Sequence, residues 1–122
     1  MQITYRTENG IPIAVVSGSA PEIVDAQSAL DLAMTIKYES GAERIALDKR
    51  VFSEDFFLLR TGLAGEILQK WINYHVKAAV WGDYSRYASK PLKDFFFESN
   101  RGENFFFTAT EEEAVRRLAE AR

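Results

Sequence analysis

The fold is decided by residues 44–82. Arg44-Ile45-Ala46-Leu47-Asp48 comes first, Thr61-Gly62-Leu63-Ala64-Gly65-Glu66-Ile67-Leu68-Gln69-Lys70-Trp71 stands in the middle, and Val76-Lys77-Ala78-Ala79-Val80-Trp81-Gly82 closes it. The outer runs are short and apolar and read as buried strands. In the middle, Leu59, Leu63, Ile67 and Trp71 recur every fourth residue, and Ala64 and Leu68 widen the stripe into a helix face. A strand, a helix and a strand in that order call for a parallel sheet with covered faces. Ser53 is placed to cap the first helical turn, with Glu54 and Asp55 at its positive end, and the helix is expected to run to about Tyr74. Gly62 and Gly65 cost about 1 kcal/mol each relative to Ala inside a helix. Either the helix starts near Thr61, or its backbone meets a close neighbour.

Upstream, Thr7-Glu8-Asn9-Gly10 separates Ile3–Arg6 from Ile11–Ser17. Asn-Gly between β-prone runs predicts a hairpin, because both residues tolerate positive φ. Ile11, Ile13 and Val15 share one face of the second strand, and Ala14 and Val16 the other, so both faces are expected to be covered. A first helix is predicted from about Pro21 to Tyr38, with Ile23, Ala26, Leu30, Ala33 and Ile36 inward, and Gly41 stops it. Downstream, Ser89 caps a third helix with Pro91 in its first turn and Gly102 beyond its end. Asn104–Thr108 is a last strand, and Thr110 to Glu113 opens a final helix with Ala114, Val115 and Leu118 inward. The expectation is one α/β domain over residues 1–122. It has a five-stranded mixed, mostly parallel sheet with an N-terminal hairpin, and four helices.

Composition narrows the function. The chain of 122 residues carries a net charge of −3 and scattered basic residues, which argues against nucleic-acid binding. It has no cysteine, so disulfides, thiolate metal sites and cysteine nucleophiles are excluded. No signal peptide is read at Met1–Tyr5, and no apolar run reaches membrane-spanning length, so a cytoplasmic protein is expected. His75 is the single histidine and lacks partners for a histidine-based metal site. No metal or cofactor is expected, and no serine lies in a nucleophile elbow.

Asp55-Phe56-Phe57, Thr61 to Lys70, Asn73-Tyr74, Gly82-Asp83 and Glu98-Ser99-Asn100-Arg101-Gly102 closely resemble the bacterial domain-of-unknown-function family 4180. The resemblance covers nearly the whole chain and is strongest from Phe52 to Gly102. Members of that family are small stand-alone proteins without an assigned activity. The element order is also similar to that of anti-sigma-factor antagonist (STAS, SpoIIAA-like) domains. There an Asp-containing loop follows a strand, and a Ser or Thr before Gly opens the next helix. Asp48 and Thr61-Gly62 hold the corresponding places, although the usual Asp-Ser-Ser-Gly run is replaced by Leu59-Arg60-Thr61-Gly62. That resemblance implies Thr61 as a phosphorylation site.

Parallel sheets bind ligands beyond the carboxyl ends of their strands. The candidate surface there comprises Asp48, Phe57, Arg60, Thr61, Gly62, Glu66, Asp83, Tyr84 and Ser85. Lys49 and Arg60 would supply charge to an anion at the helix start, and Asp48 with Asp83 would make a carboxylate pair. The same residue types also suit ordinary caps and turns. One of Phe95-Phe96-Phe97, and one of Phe56 and Phe57, is expected at the surface or in a homodimer contact. Two readings stand. One is a non-enzymatic regulatory or protein-interaction module with an unknown protein partner. The other is a small-ligand or anion-binding protein, an enzyme among its forms, with its site at the strand ends.

Overall fold

In the computed structural model, which describes residues 1–122, five strands form one sheet in the order β1-β2-β3-β4-β5. The strands are β1 (Gln2–Glu8), β2 (Ile11–Ser17), β3 (Arg44–Asp48), β4 (Lys77–Trp81) and β5 (Phe105–Thr108). β1 and β2 are antiparallel, and every later pairing is parallel. The helices are α1 (Ala26–Ser40), α2 (Leu63–Asn73), α3 (Lys90–Arg101) and α4 (Glu111–Glu120). No helix is long and apolar enough to cross a membrane.

The hairpin turns on Asn9 and Gly10, both at positive φ (53° and 77°), as a two-residue turn with matching twist requires. In β2 the alternation serves two cores. Ala14 and Val16 face α1, α2 and α3, whereas Ile13 and Val15 face α4. The larger core also takes Ala29, Ala33 and Ile36 of α1, Ala64, Ile67, Leu68 and Trp71 of α2, and Leu92 of α3. The smaller is closed by Ala114, Val115 and Leu118 of α4, as their spacing predicts.

α1 starts later than its sequence pattern suggests. Residues 21–25 stay outside the helix, because Ile23 makes an isolated parallel bridge to Phe52. Glu22 and Ile23 donate their N–H groups to the Val51 carbonyl (both 2.8 Å), and Ser53 N–H donates to the Ile23 carbonyl (2.9 Å). Asp25 is the cap, in a reciprocal box with Ser28. The inner face is rotated accordingly: Ala29, Ala33 and Ile36 are buried, while Ala26 and Leu30 are only partly covered. Trp71 fixes α2 against this face, its buried indole N–H donating to the Ala29 carbonyl at 3.0 Å.

The segment before α2 is three short 3-10 turns, Lys49–Val51, Glu54–Phe57 and Leu59–Thr61, rather than one helix. Gly62 (φ 77°) is the left-handed hinge from which α2 starts. A Cβ on Gly65 would meet nothing within 4 Å, so no neighbour presses on it. The first of the two glycine readings therefore holds. On α3, Phe95 and Phe96 pack on Phe107 and Phe97 is 61% exposed, as three consecutive aromatics on a helix require. Phe56 and Phe57 are both buried, against expectation, because a 3-10 turn lets both rings enter the aromatic cluster around Phe52.

The outer edge of β5 is closed by a side chain. The Asn100 carboxamide accepts from Phe107 N–H (2.7 Å) and donates to the Phe107 carbonyl (3.1 Å), imitating a further strand. Asn100→Ala is expected to lower unfolding free energy by about 1–3 kcal/mol, since it strips two partners from a buried edge residue. Urea denaturation at constant m-value checks this.

Candidate functional site

The carboxyl ends of β3 and β4 carry two loops that meet over an aromatic base. Asp48 ends β3 and is 6% exposed. Its carboxylate accepts from Arg50 N–H (2.9 Å) and from the Arg50 guanidinium (2.8 Å to Nη2). It therefore caps the first 3-10 turn and holds the Arg50 guanidinium more firmly protonated than usual. β4 ends at Trp81, and Gly82 N–H donates to the Thr108 carbonyl. Gly82 passes so close to the turn that follows β3 that a Cβ there would lie 2.8 Å from Lys49 Cβ. Asp83 closes the turn by accepting from Ser85 N–H at 2.9 Å, which holds its carboxyl below the usual range.

Tyr84 turns inward. Its hydroxyl donates to the Val80 carbonyl at 2.6 Å, and burial pushes its pKa up. Its ring lies against Phe57, Phe96 and Phe107. Phe57, at 3% exposed, is base rather than surface. Tyr87 stacks on Phe57 with centroids 5.2 Å apart, and its hydroxyl donates to Glu54 Oε2 at 2.8 Å. Arg86 pairs with Glu54 and also donates to the Tyr87 hydroxyl at 3.1 Å. Lys49 Nζ completes the group over the faces of Tyr87 (5.0 Å) and Phe57 (5.5 Å). The Tyr87 hydrogen bond, followed by the bond and charge of Arg86 and the charge of Lys49, holds Glu54 below the usual carboxylate range, with burial opposing.

The start of α2 is a separate polar unit. Thr61 Oγ1 donates toward the Asp55 carbonyl (2.7 Å) and the Leu58 carbonyl (2.9 Å), and accepts from Leu63 N–H (3.2 Å). Its hydroxyl ties two 3-10 turns to the first helical residue. Arg60 and Gly62 are exposed, and Glu66 lines an open groove toward α1 with Gln69 and Lys70. No hydrogen bond or ion pair links Arg60 or Thr61 to Asp48 or Asp83. None of the five main surface hollows is lined by Asp48, Arg60, Thr61 or Asp83.

The structure thus divides the nine candidates. Asp48, Phe57, Asp83, Tyr84 and Ser85 belong to the strand-end loops, and Arg60, Thr61, Gly62 and Glu66 to the entry of α2. Asp48 and Asp83 do not form a carboxylate pair, because each bonds within its own turn. His75 adjoins a hollow with Glu43, Arg44 and Lys77 at the other end of the strands. The sequence reading missed Tyr87, Arg86 and the role of Glu54. No periodic pattern marks them, since the contacts join two loops 33 positions apart.

The family described as "Domain of unknown function (DUF4180)" matches residues 8–118, and the chain belongs to that family. Neither the curated proteins nor the solved structures gave a match.

Two outcomes follow from the hydrogen bonds. Thr61→Ala is expected to cost about 1 kcal/mol, as for loss of a helix-start cap, with Thr61→Ser close to wild type in urea denaturation. Glu54 has a lowered folded pKa, so its links add stability above the ordinary carboxylate range and lose it as pH falls through the folded value. Thermal melts should show Glu54→Gln less stable than wild type at about pH 6 and the gap closing toward about pH 3.

Proposed function

We propose that this member of the family is a non-enzymatic regulatory or protein-interaction module, with the strand-end loops as its binding surface. One observation carries the reading. Lys49, Glu54, Arg86 and Tyr87 present a pattern of charges on a buried aromatic base, and none of them lines any of the five main surface hollows. A rigid rim of mixed sign suits recognition of a complementary protein surface, where charge arrangement sets register and excludes wrong partners. Arg50 and Asp83, on the same two loops, are also exposed. The ligand-binding alternative draws less support from this geometry, because the Asp48, Thr61 and Asp83 oxygens are bonded to neighbouring loop backbone and Arg60 alone is left without a partner.

The element order, similar to that of anti-sigma-factor antagonist domains, favours a regulatory role by analogy of architecture alone. The partner on this reading is a cytoplasmic protein. Phosphorylation of Thr61 would need its hydroxyl to leave the Asp55 and Leu58 carbonyls, so a kinase would have to act on an opened turn.

Lys49→Glu with Arg86→Glu reverses two positive charges of the rim. Affinity capture with this variant, scored against wild type by quantitative mass spectrometry, is expected to lose the specific partners at least tenfold, by about 1.4 kcal/mol or more. Lys93→Glu on α3 is expected to keep them, and circular dichroism should show both variants folded. Equal capture by the double variant removes this surface as the binding site.

A further inference from the structure

The two edges of the sheet end differently. Asn100 closes β5, whereas the outer side of β1 has no partner. The Asn9-Gly10 turn fixes which groups that edge presents. Residues flanking a two-residue hairpin turn form a hydrogen-bonded pair, and such pairs then alternate along the ladder. Glu8 lies opposite Ile11, so Glu8, Arg6, Thr4 and Gln2 direct their N–H and C=O groups to β2. Ile3, Tyr5 and Thr7 direct theirs outward, and no loop backbone or side chain bonds to them.

The edge also lacks the usual guards against pairing. Residues 2–8 contain no proline, no lysine and no bulge. Arg6, the one cation, is turned to α4 and paired with Glu8 and Glu112. On the other face, Ile3 packs on the larger core beside a hollow lined by Met1, Ile23 and Leu32. Met1 and Tyr5 are 55% and 46% exposed there. An apolar strip thus runs along an open hydrogen-bonding edge.

We propose that β1 pairs antiparallel with β1 of a second copy, about a two-fold axis through Thr4, to give a continuous ten-stranded sheet. The occupant must be an extended strand, because the unpaired groups are a row of backbone donors and acceptors. β1 itself meets the requirement on both sides of the axis. Ile3 falls opposite Tyr5 of the second copy, twice, and both residues have outward N–H and C=O groups to exchange. An aromatic opposite a β-branched residue is a favoured cross-strand pair. Met1 falls opposite Thr7, which brings Met1, Ile3 and Tyr5 of both copies into one strip. Arg6 falls opposite the neutral Gln2, so no like charges meet. An axis through Arg6 would oppose two arginines, and one through Tyr5 would leave Met1 opposite Asn9. The association uses the β1 edge and leaves the strand-end loops free, so it stands independently of the proposed binding surface.

The cysteine-free chain allows a single-site test. Thr4 and its copy form a non-hydrogen-bonded pair with Cα atoms about 4.5 Å apart, within reach of a disulfide. Thr4→Cys is expected to give a covalent dimer on oxidation, while Asn73→Cys, exposed on α2, stays monomeric. Light scattering of wild type should give twice the 13.9 kDa of the chain. Tyr5→Pro removes an outward N–H and leaves the β2 ladder intact, and Tyr5→Lys guards the same edge without touching the backbone. Both are expected to be monomeric, with unchanged circular dichroism. A monomeric wild type at about 100 µM, or a dimer that survives both Tyr5 variants without Thr4→Cys cross-linking, overturns the proposal.

Discussion

The structure depends on one constraint, the direction in which the sheet grows. Each strand from β2 to β5 is added beside its predecessor, and each addition after β2 is parallel. A parallel addition needs a crossover, and crossovers are right-handed almost without exception. Three crossovers of one hand, made in one direction, must all pass over the same face. α1, α2 and α3 therefore share the larger core, and the helix that closes the other face has to come after the last strand.

α4 thus has a whole sheet face to cover with 10 residues. Beneath it the two central strands present small side chains, Ala46 and Ala79, flanked by Ile13, Val15 and Phe106. Three arginines from different parts of the chain hold it. Arg44 donates to the carbonyls of Leu118 and Ala121, partners that the end of a helix leaves unsatisfied. Arg117 reaches the Asn100 carbonyl and lies over the Phe106 ring, and Arg6 pairs with Glu112. The Asn100 that closes β5 is thereby tied to α4, so one edge and one face are secured by the same contact.

Most of this architecture was legible in the sequence, for a local reason. Strand alternation in β2, the Asn9-Gly10 turn, the caps at Ser89 and Thr110 and the stops at Gly41 and Gly102 act over a few residues, so short patterns report them. The errors fell where a distant segment overrides the local pattern. Pro21 looks like a first helical residue, yet Val51 and Phe52 hold residues 22 and 23 extended. Phe56 and Phe57 point about 100° apart on an α-helix, which suggests that one of them is exposed, yet the 3-10 turn buries both. In the candidate surface, residue types at strand ends were legible, but their bonding was not. Tyr87 carried no signal because its meaning lies in Glu54 and Phe57.

The strand-end loops also show why a position favoured for ligands need not hold one. A catalytic or ligand site needs polar atoms left unsatisfied by the protein and aimed at a common space. Here the three most suggestive groups are spent on the fold: Asp48 on the turn to Arg50, Thr61 on the start of α2, and Tyr84 on the Val80 carbonyl. The space between the loops is filled by Phe57 and Tyr87. What remains outward is charge on side-chain ends, fixed in place by that aromatic filling. The irregular stretch from Lys49 to Thr61 follows from the same need, since a single regular helix could not have delivered Phe52, Phe56 and Phe57 inward while presenting Lys49 and Glu54 to the opposite loop.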